Sequence, residues 1–176
     1  MAKVLTFSRT FPAYHPKKGQ PTYFVEKFWN SVDSNLTFEQ ITELPCKEYG
    51  LLNDFIKLDL DITTKKHHTI RCGNRFKVGD KFSPRVWSGK PYNSKQIIIA
   101  PDIEIKKVWD IDIILVGINR LHVHVKDVIN TDTENIALND GLSIADFLDW
   151  FHKSPEFKKN KQFKGQIICW NENIEY

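Results

Sequence analysis

Runs of β-branched and aromatic residues in the second half of the chain limit its fold more than any other feature of the sequence. These runs cover residues 81–87, 94–100, 103–115, 121–128 and 165–170. Such a composition is typical of β-strands, and turn-forming residues separate the runs. The sequence therefore predicts that this half of the chain is built mainly of strands.

One helix signal stands between the last two of these runs. Ser143, with Asp146 three residues later, has the pattern of a capping box. Leu142 and Phe147 are spaced for the hydrophobic staple that accompanies it, and we expect the helix to end at about His152. Many strands with few helices favour an α+β fold, a small closed or nearly closed barrel with flanking helices.

The first third of the chain has a different pattern. It begins with a short expected strand and a loop rich in Pro, Gly, cations and aromatic residues. Thr22 can cap a helix, residues 37–43 fit a second helix, and residues 51–60 fit helix and strand equally. We expect residues 1–63 to form an N-terminal helical extension packed on the barrel of residues 64–176, within one compact domain.

The composition argues against several classes of protein. The 176 residues, 41% of them hydrophobic, suffice for one substantial core, and no run of about 18 apolar residues is present to span a bilayer. The start of the chain lacks the pattern of a signal peptide, so we expect a cytoplasmic protein with no membrane partner. Three cysteines without C-x-x-C spacing indicate neither a disulfide framework nor a cysteine zinc site. A net charge of +3 predicts that any contact with nucleic acid is local.

The densest polar cluster is residues 65–71, K-K-H-H-T-I-R, and V-G-D follows at residues 78–80. In one interpretation this cluster is a solvated basic turn that leads into a strand. In the other, Lys66 and Thr69 face the same side of a tight turn or a single helical turn, and Arg71 reaches an anionic group. Spacing alone favours the first interpretation.

The pattern K-x-x-T-x-R of residues 66–71, followed by V-G-D at 78–80, resembles the signature that opens ASCH domains, which are relatives of the PUA RNA-binding fold. The similarity continues around residues 103–105 and into the acidic turn at residues 139–143. It covers roughly residues 64–170. The resemblance implies a PUA-like β-barrel that binds a nucleotide or an RNA base.

Some small bacterial ASCH proteins are amidohydrolases that remove the acetyl group from N4-acetylcytidine with a lysine, a threonine and a carboxylate. The resemblance implies Lys66, Thr69 and Asp140 as the catalytic residues, with Asp140 in place of the family's glutamate. A hydroxyl becomes a nucleophile when a neighbouring base accepts its proton. A lysine serves as that base when burial or nearby cations lower its pKa.

The surroundings of these three residues bear on their roles. Lys65, Arg71 and the histidines of residues 67–68 are expected to supply positive charge, and Arg71 is a candidate for binding the substrate. Asp140 precedes a helix N-terminus, which favours its ionised form and an electrostatic role. In the alternative interpretation, Asp140 has no catalytic role and is a loop carboxylate beside the Ser143 cap.

A second candidate for binding lies in the sequence W-S-G-K-P-Y of residues 87–92. Trp87 and Tyr92 would stack on a base while Lys90 holds a phosphate, as in readers of single-stranded RNA. In the alternative, these residues form a hairpin loop in which Trp87 packs. Together with motifs of the early loop, residues 10–22, this sequence also resembles uncharacterised phage and prophage proteins of bacteria. The early loop itself is either a lid or a rigid connection.

The histidines of the strand at 121–128 complete the candidates. His122 and His124 alternate with apolar residues and share one face, but no third ligand is spaced to join them, so we expect no metal and no cofactor. The preferred function is a nucleotide- or RNA-base-binding ASCH domain that hydrolyses N4-acetylcytidine or a related nucleoside. The alternative is a non-catalytic module that recognises a modified base. The expected partners are a nucleoside and single-stranded or structured RNA.

Overall fold

The computed structural model describes residues 1–32, 64–116, 120–126, 128 and 132–176. In these residues the chain has a mixed α+β fold with eight strands in two sheets and four helices. The strands are β1 (Lys3–Thr6), β2 (His68–Cys72), β3 (Lys81–Trp87), β4 (Gln96–Ile98), β5 (Ile103–Glu104), β6 (Lys107–Val116), β7 (Arg120–Val125) and β8 (Gln162–Cys169). The helices are α1 (Phe24–Val32), α2 (Thr133–Asn139), α3 (Ile144–His152) and α4 (Pro155–Asn160). None of these helices is long and apolar enough to cross a membrane.

The first sheet is organised around β3. The N-terminal strand β1 pairs with β3 in parallel, with Lys3 opposite Phe82, whereas β4 and β5 pair with β3 antiparallel. The second sheet has the order β2-β8-β6-β7, and all its pairs are antiparallel. The described strands therefore form two sheets, and closure into a barrel stays a prediction.

An aromatic cluster joins the two sheets to α1. The ring centroids of Phe7 and Phe28 are 5.0 Å apart, and those of Phe28 and Trp170 are 5.3 Å apart. Phe82 of β3 lies 5.6 Å from the same Trp170, which follows β8. Burial of one such side chain contributes about 1.5–3 kcal/mol. This cluster therefore fixes the N-terminal strand and helix against both sheets.

The elements with strong local signals are confirmed. β3 has the predicted bounds, and the helix with the capping box is α3. The Oγ of Ser143 accepts a hydrogen bond from the N–H of Asp146 at 3.1 Å and donates to the Asp146 carboxylate at 2.8 Å. His122 and His124 share one face of β7, and Val123 and Val125 are buried on the other.

Two expectations are wrong, and two helices were missed. Residues 68–72 form strand β2, where a turn was expected, because the strand carries buried polar side chains that hide its pattern. The run at 103–115 is split into β5 and β6, since β5 pairs in the first sheet and β6 in the second. Helices α2 and α4 were not predicted, although Asp132 and Ser154 cap them. The possible helix at 37–43 and the ambiguous segment at 51–60 lie outside the described residues.

Gly165 provides a test of the second sheet. A Cβ at this position would overlap the carbonyl oxygen of Arg71 on β2. We expect Gly165→Ala to lower the free energy of unfolding by about 1–3 kcal/mol, measured by chemical denaturation, because β2 must move away from β8. Gly89→Ala is the control, since its nearest neighbour would be at 3.6 Å. Equal losses in both variants would contradict this packing.

Candidate functional site

Lys66 lies just before β2 and is enclosed by α1 and the turn after α2. Its N–H donates to the carbonyl of Lys27 at 3.0 Å. Its side chain is 1% exposed, and the Nζ donates to Oδ1 and to the main-chain oxygen of Asp140, both at 2.6 Å. The ring of Phe24 covers the ammonium group, with its centroid 4.1 Å from Nζ. The ammonium is thus held between a carboxylate and an aromatic face.

Asp140 caps the C-terminus of α2 and begins the tight turn to α3. Gly141 follows with φ of +78°, a conformation that residues with a Cβ rarely adopt. A Cβ there would lie 3.3 Å from the Cβ of Lys66 and 3.2 Å from the Cδ of Lys27. Glycine therefore lets this turn approach Lys66 closely. The carboxylate beside the Ser143 cap belongs to Asp146, whereas Asp140 contacts Lys66.

Burial controls the charges of this pair. It lowers the pKa of Lys66 from 10.5 to about 8, an effect that Asp140 opposes and that the charges of Arg71 and Lys27 increase. Burial also raises the pKa of Asp140, against the opposing effect of Lys66. The expectation that a helix dipole favours ionised Asp140 stays a prediction: burial acts against the ionised form, and Asp140 also lies at the negative end of α2. Since the pKa of Lys66 is lowered on folding, its contribution to stability rises between about pH 8 and pH 10.5.

His68 is a neighbour of the pair that the motif did not indicate. Its ring is fully buried, its Nδ1 lies 3.7 Å from Asp140 Oδ1, and among the described residues neither ring nitrogen has a hydrogen bond of standard geometry. Burial, followed by the charge of Lys66, moves the pKa of His68 well below 6.5, and burial lowers that of His67. Both rings are therefore neutral at pH 7, and the expected positive charge from them is wrong.

Thr69 and Arg71 lie on the same face of β2, so strand spacing brings them together. Thr69 is 2% exposed. The guanidinium of Arg71 donates to the carbonyl of Thr6 at 2.6 Å, and its charge affects both Lys66 and Asp140. In the described part of the chain, no hydrogen bond joins the Thr69 hydroxyl to Lys66. The ion pair and Arg71 thus form one electrostatic group, and Thr69 is buried on the same strand as Arg71.

Trp87, at the end of β3, and Tyr92, in the loop that follows, are in contact. The rings of Trp87 and Tyr92 have centroids 5.3 Å apart, and Tyr92 is 88% exposed with φ of +64°. A non-glycine residue in this backbone region stores strain, which is common at ligand-binding sites. Arg9 and Trp87 line a neighbouring cavity of about 410 Å³. Lys90 is exposed in the same loop, and its carbonyl accepts a hydrogen bond from the Ser94 hydroxyl at 2.9 Å.

The two histidines of β7 lie away from Lys66 and Asp140, on the edge of the second sheet opposite to β2. His122 and His124 have ring centroids 6.3 Å apart. Within the residues that the structure describes, no group of three His, Cys, Asp or Glu side chains is placed to hold a metal ion.

The contact between Asp140 and Lys66 predicts how a substitution of Asp140 changes the pKa of Lys66. Because Asp140 favours the charged ammonium, Asp140→Asn should lower the pKa of Lys66 below its value of about 8. An NMR titration of the carbon next to Nζ measures this pKa. Asp149→Asn is the matched control, since Asp149 pairs with Lys153 on α3, and it should leave the Lys66 titration unchanged. An unaltered pKa in Asp140→Asn would mean that the two groups do not interact in solution.

No protein-family model, no curated protein and no solved structure matches the chain. The resemblance to ASCH domains accordingly rests on the motifs at residues 66–71, 78–80 and 139–143. The geometry described above is independent of that resemblance. It brings Lys66 and Asp140, two residues that the resemblance implies, into direct contact.

Proposed function

We propose that this protein is an ASCH-type domain with a PUA-like barrel that binds a cytidine-type nucleoside and hydrolyses the amide of N4-acetylcytidine or a related compound. The observation that carries the proposal is the 2.6 Å contact between Lys66 Nζ and Asp140 Oδ1. It joins two members of the expected catalytic trio across 74 positions of the chain. The third member, Thr69, is buried three residues after Lys66.

A buried pair of this kind adds little to stability. Removal of water costs several kcal/mol for each ion, and a well-packed apolar pair is often equally stable. Titratable pairs with displaced pKa values are instead common where protons are transferred. With a pKa of about 8, Lys66 is partly present as the neutral amine near physiological pH, and this is the form that a general base requires.

The proposed reaction uses the chain's own side chains. The Lys66 amine takes the proton of the Thr69 hydroxyl as its oxygen attacks the acetyl carbonyl carbon. The bond between that carbon and N4 breaks, and the Lys66 ammonium returns the proton to the departing amine. Water then hydrolyses the threonine ester and releases acetate. Asp140 orients Lys66 and offsets its charge throughout the reaction. The contact between the Thr69 hydroxyl and the Lys66 amine forms when the substrate binds.

The substrate's polar and aromatic parts have candidate partners on β2, at the end of β3 and in the loop that follows it. Trp87 and Tyr92 present aromatic faces for stacking on a base. Arg71 supplies a charge close to the pair, and Tyr92 in turn acts on the pKa of Arg71. Lys90 extends from the same loop towards solvent and would contact the ribose or a flanking group.

One observation favours a second function, a module that recognises a modified base without turnover. Phe24 covers the Lys66 ammonium, which is 1% exposed. If this cover persists in solution with ligand bound, Lys66 has no access to an acyl group. The aromatic loop and Arg71 would then supply binding alone. Measurement of turnover separates the two functions.

For the enzyme, the wild-type protein should release acetate from N4-acetylcytidine at a rate that rises with pH through about 8, as Lys66 loses its proton. Lys66→Ala and Thr69→Ala should each lower the rate by at least about 10²-fold. The double variant should be about as inactive as either single one, because the two residues act as a unit. Acetate release by a coupled assay gives each rate.

Lys65→Ala is the matched control, because Lys65 is exposed and adjacent to Lys66. It should retain the wild-type rate. Thermal midpoints within a few degrees of the wild type would show that the inactive variants are folded. Binding of the nucleoside with no acetate release at any pH would reject the hydrolase and leave the recognition module.

The aromatic loop is tested by binding. Tyr92→Ala should weaken the binding of cytidine by about 1–3 kcal/mol, measured by calorimetry, because one stacking face is lost. Tyr92→Phe keeps the ring and should bind like the wild type. The exposure of Tyr92 makes a folding defect an improbable cause of any loss. Unchanged affinity in Tyr92→Ala would remove this loop from the binding site.

A further inference from the structure

The N-terminal segment and the turn between α2 and α3 enclose a second cavity, of about 330 Å³, to which the proposed reaction assigns no role. Lys17, Tyr23 and Lys27 line it from the N-terminal side, and Gly141 and Asp146 line it from the other. Tyr23 has φ of +56°, so its backbone is held in a strained conformation at the cavity wall. The cavity is therefore formed only where the N-terminal segment meets the turn.

This cavity adjoins the buried ion pair. The Nζ of Lys27 donates to the carbonyl of Gly141 at 2.7 Å, and Gly141 directly follows Asp140. Gly141 also lies against the Lys66 side chain. A group bound to the Lys27 ammonium would thus be separated from the Lys66 and Asp140 pair by a single residue of the turn.

The lining has an excess of positive charge. The ammonium of Lys17 is paired with the Asp146 carboxylate at 2.7 Å, and Asp146 also accepts a hydrogen bond from Ser143. Lys27 donates to a carbonyl oxygen, and within the described residues it forms no salt bridge. Two ammonium groups therefore face one carboxylate. Burial lowers the pKa of Lys27, the carboxylates of Asp146, Glu26 and Asp140 oppose this, and the charge of Lys17 adds to it.

The early loop is fixed in place around this cavity. The rings of Phe11 and His15 are stacked with centroids 4.4 Å apart, and His15 is buried with its Nε2 3.2 Å from the main-chain oxygen of Asp146. Together with the Lys17 contact, this ties the loop to α3. The loop thus forms one wall of the cavity. A preformed wall lowers the entropy that a ligand must lose on binding.

We propose that this cavity is a phosphate-binding subsite, in which the ammonium groups of Lys27 and Lys17 hold the phosphate of a nucleotide whose base reaches the Lys66 and Asp140 pair. The inference rests on the proposed function for the identity of the base, and it makes the substrate a nucleotide. A phosphate supplies the negative charge that the lining lacks, and its oxygens accept hydrogen bonds from the remaining N–H groups of Lys27. Asp146 stays paired with Lys17, so it need not repel the ligand.

The first test uses inorganic phosphate, cytidine and cytidine 5′-monophosphate as probes of the full chain, with calorimetry as the readout. Wild-type protein should bind inorganic phosphate, and the monophosphate should bind at least about tenfold more tightly than cytidine. Lys27→Gln should remove both effects. The matched control Lys18→Gln changes an exposed lysine outside the cavity and should behave like the wild type.

A second variant keeps the test valid if Lys27→Gln fails to fold. Lys17 is 47% exposed, so Lys17→Gln leaves the core intact. This variant should lower the affinity for inorganic phosphate by at least about tenfold, because it removes a cation and leaves the Asp146 carboxylate free to repel the anion. Equal affinity for inorganic phosphate in the wild type and in Lys17→Gln overturns the subsite.

The outcomes separate this inference from the proposed function. If cytidine binds but phosphate adds no affinity, the subsite is wrong and the nucleoside site stands. If inorganic phosphate binds through Lys27 while neither cytidine nor its monophosphate gains affinity from Trp87 or Tyr92, the subsite stands and the nucleoside assignment fails. Absence of phosphate binding in wild-type protein also overturns the subsite.

Discussion

The buried contact between Lys66 and Asp140 is the constraint on which the site depends. Two charges without water are stable in a fold only when other groups surround them with the right geometry. Here the main chain of α1 accepts the Lys66 N–H, and the ring of Phe24 covers the ammonium. The turn that carries Asp140 approaches closely because Gly141 has no side chain. The contact therefore links the N-terminal helix, the edge strand β2 and the junction of α2 and α3.

This arrangement also explains why several polar groups near the pair are buried. Thr69 and His68 occupy successive positions of β2, so they project to opposite faces of the sheet, and both are nearly inaccessible. A buried imidazole without a hydrogen bond is costly, and among the described residues that of His68 has none of standard geometry. Its Nδ1 lies 3.7 Å from the Asp140 carboxylate. The site is thus organised around the charge of Asp140 from two sides.

The sequence predicted the parts of the fold that short-range rules determine. The Ser143 cap and strand β3 have local signals, and both are confirmed. β2 was missed, because its polar residues are buried by tertiary contacts that no periodicity reveals. Spacing alone did not bring Lys66 to Asp140, and only the family motif indicated both. The raised pKa of Asp140 was missed for the same reason, since a dipole argument is local and burial is not. The cover by Phe24 comes from a segment outside the motif.

The parallel pairing of β1 with β3 has a consequence for the order of folding. Residues 3–6 have their only described strand partner at residues 82–85, and a parallel pair needs a long crossover between its strands. During synthesis the first strand must wait until β3 has left the ribosome, and the entropy of closing that loop falls on a late step. The aromatic cluster around Trp170 forms later still, after β8 is made. Until then the contact of Phe28 with Trp170 cannot form, so α1 lacks part of the core that holds it in the finished fold.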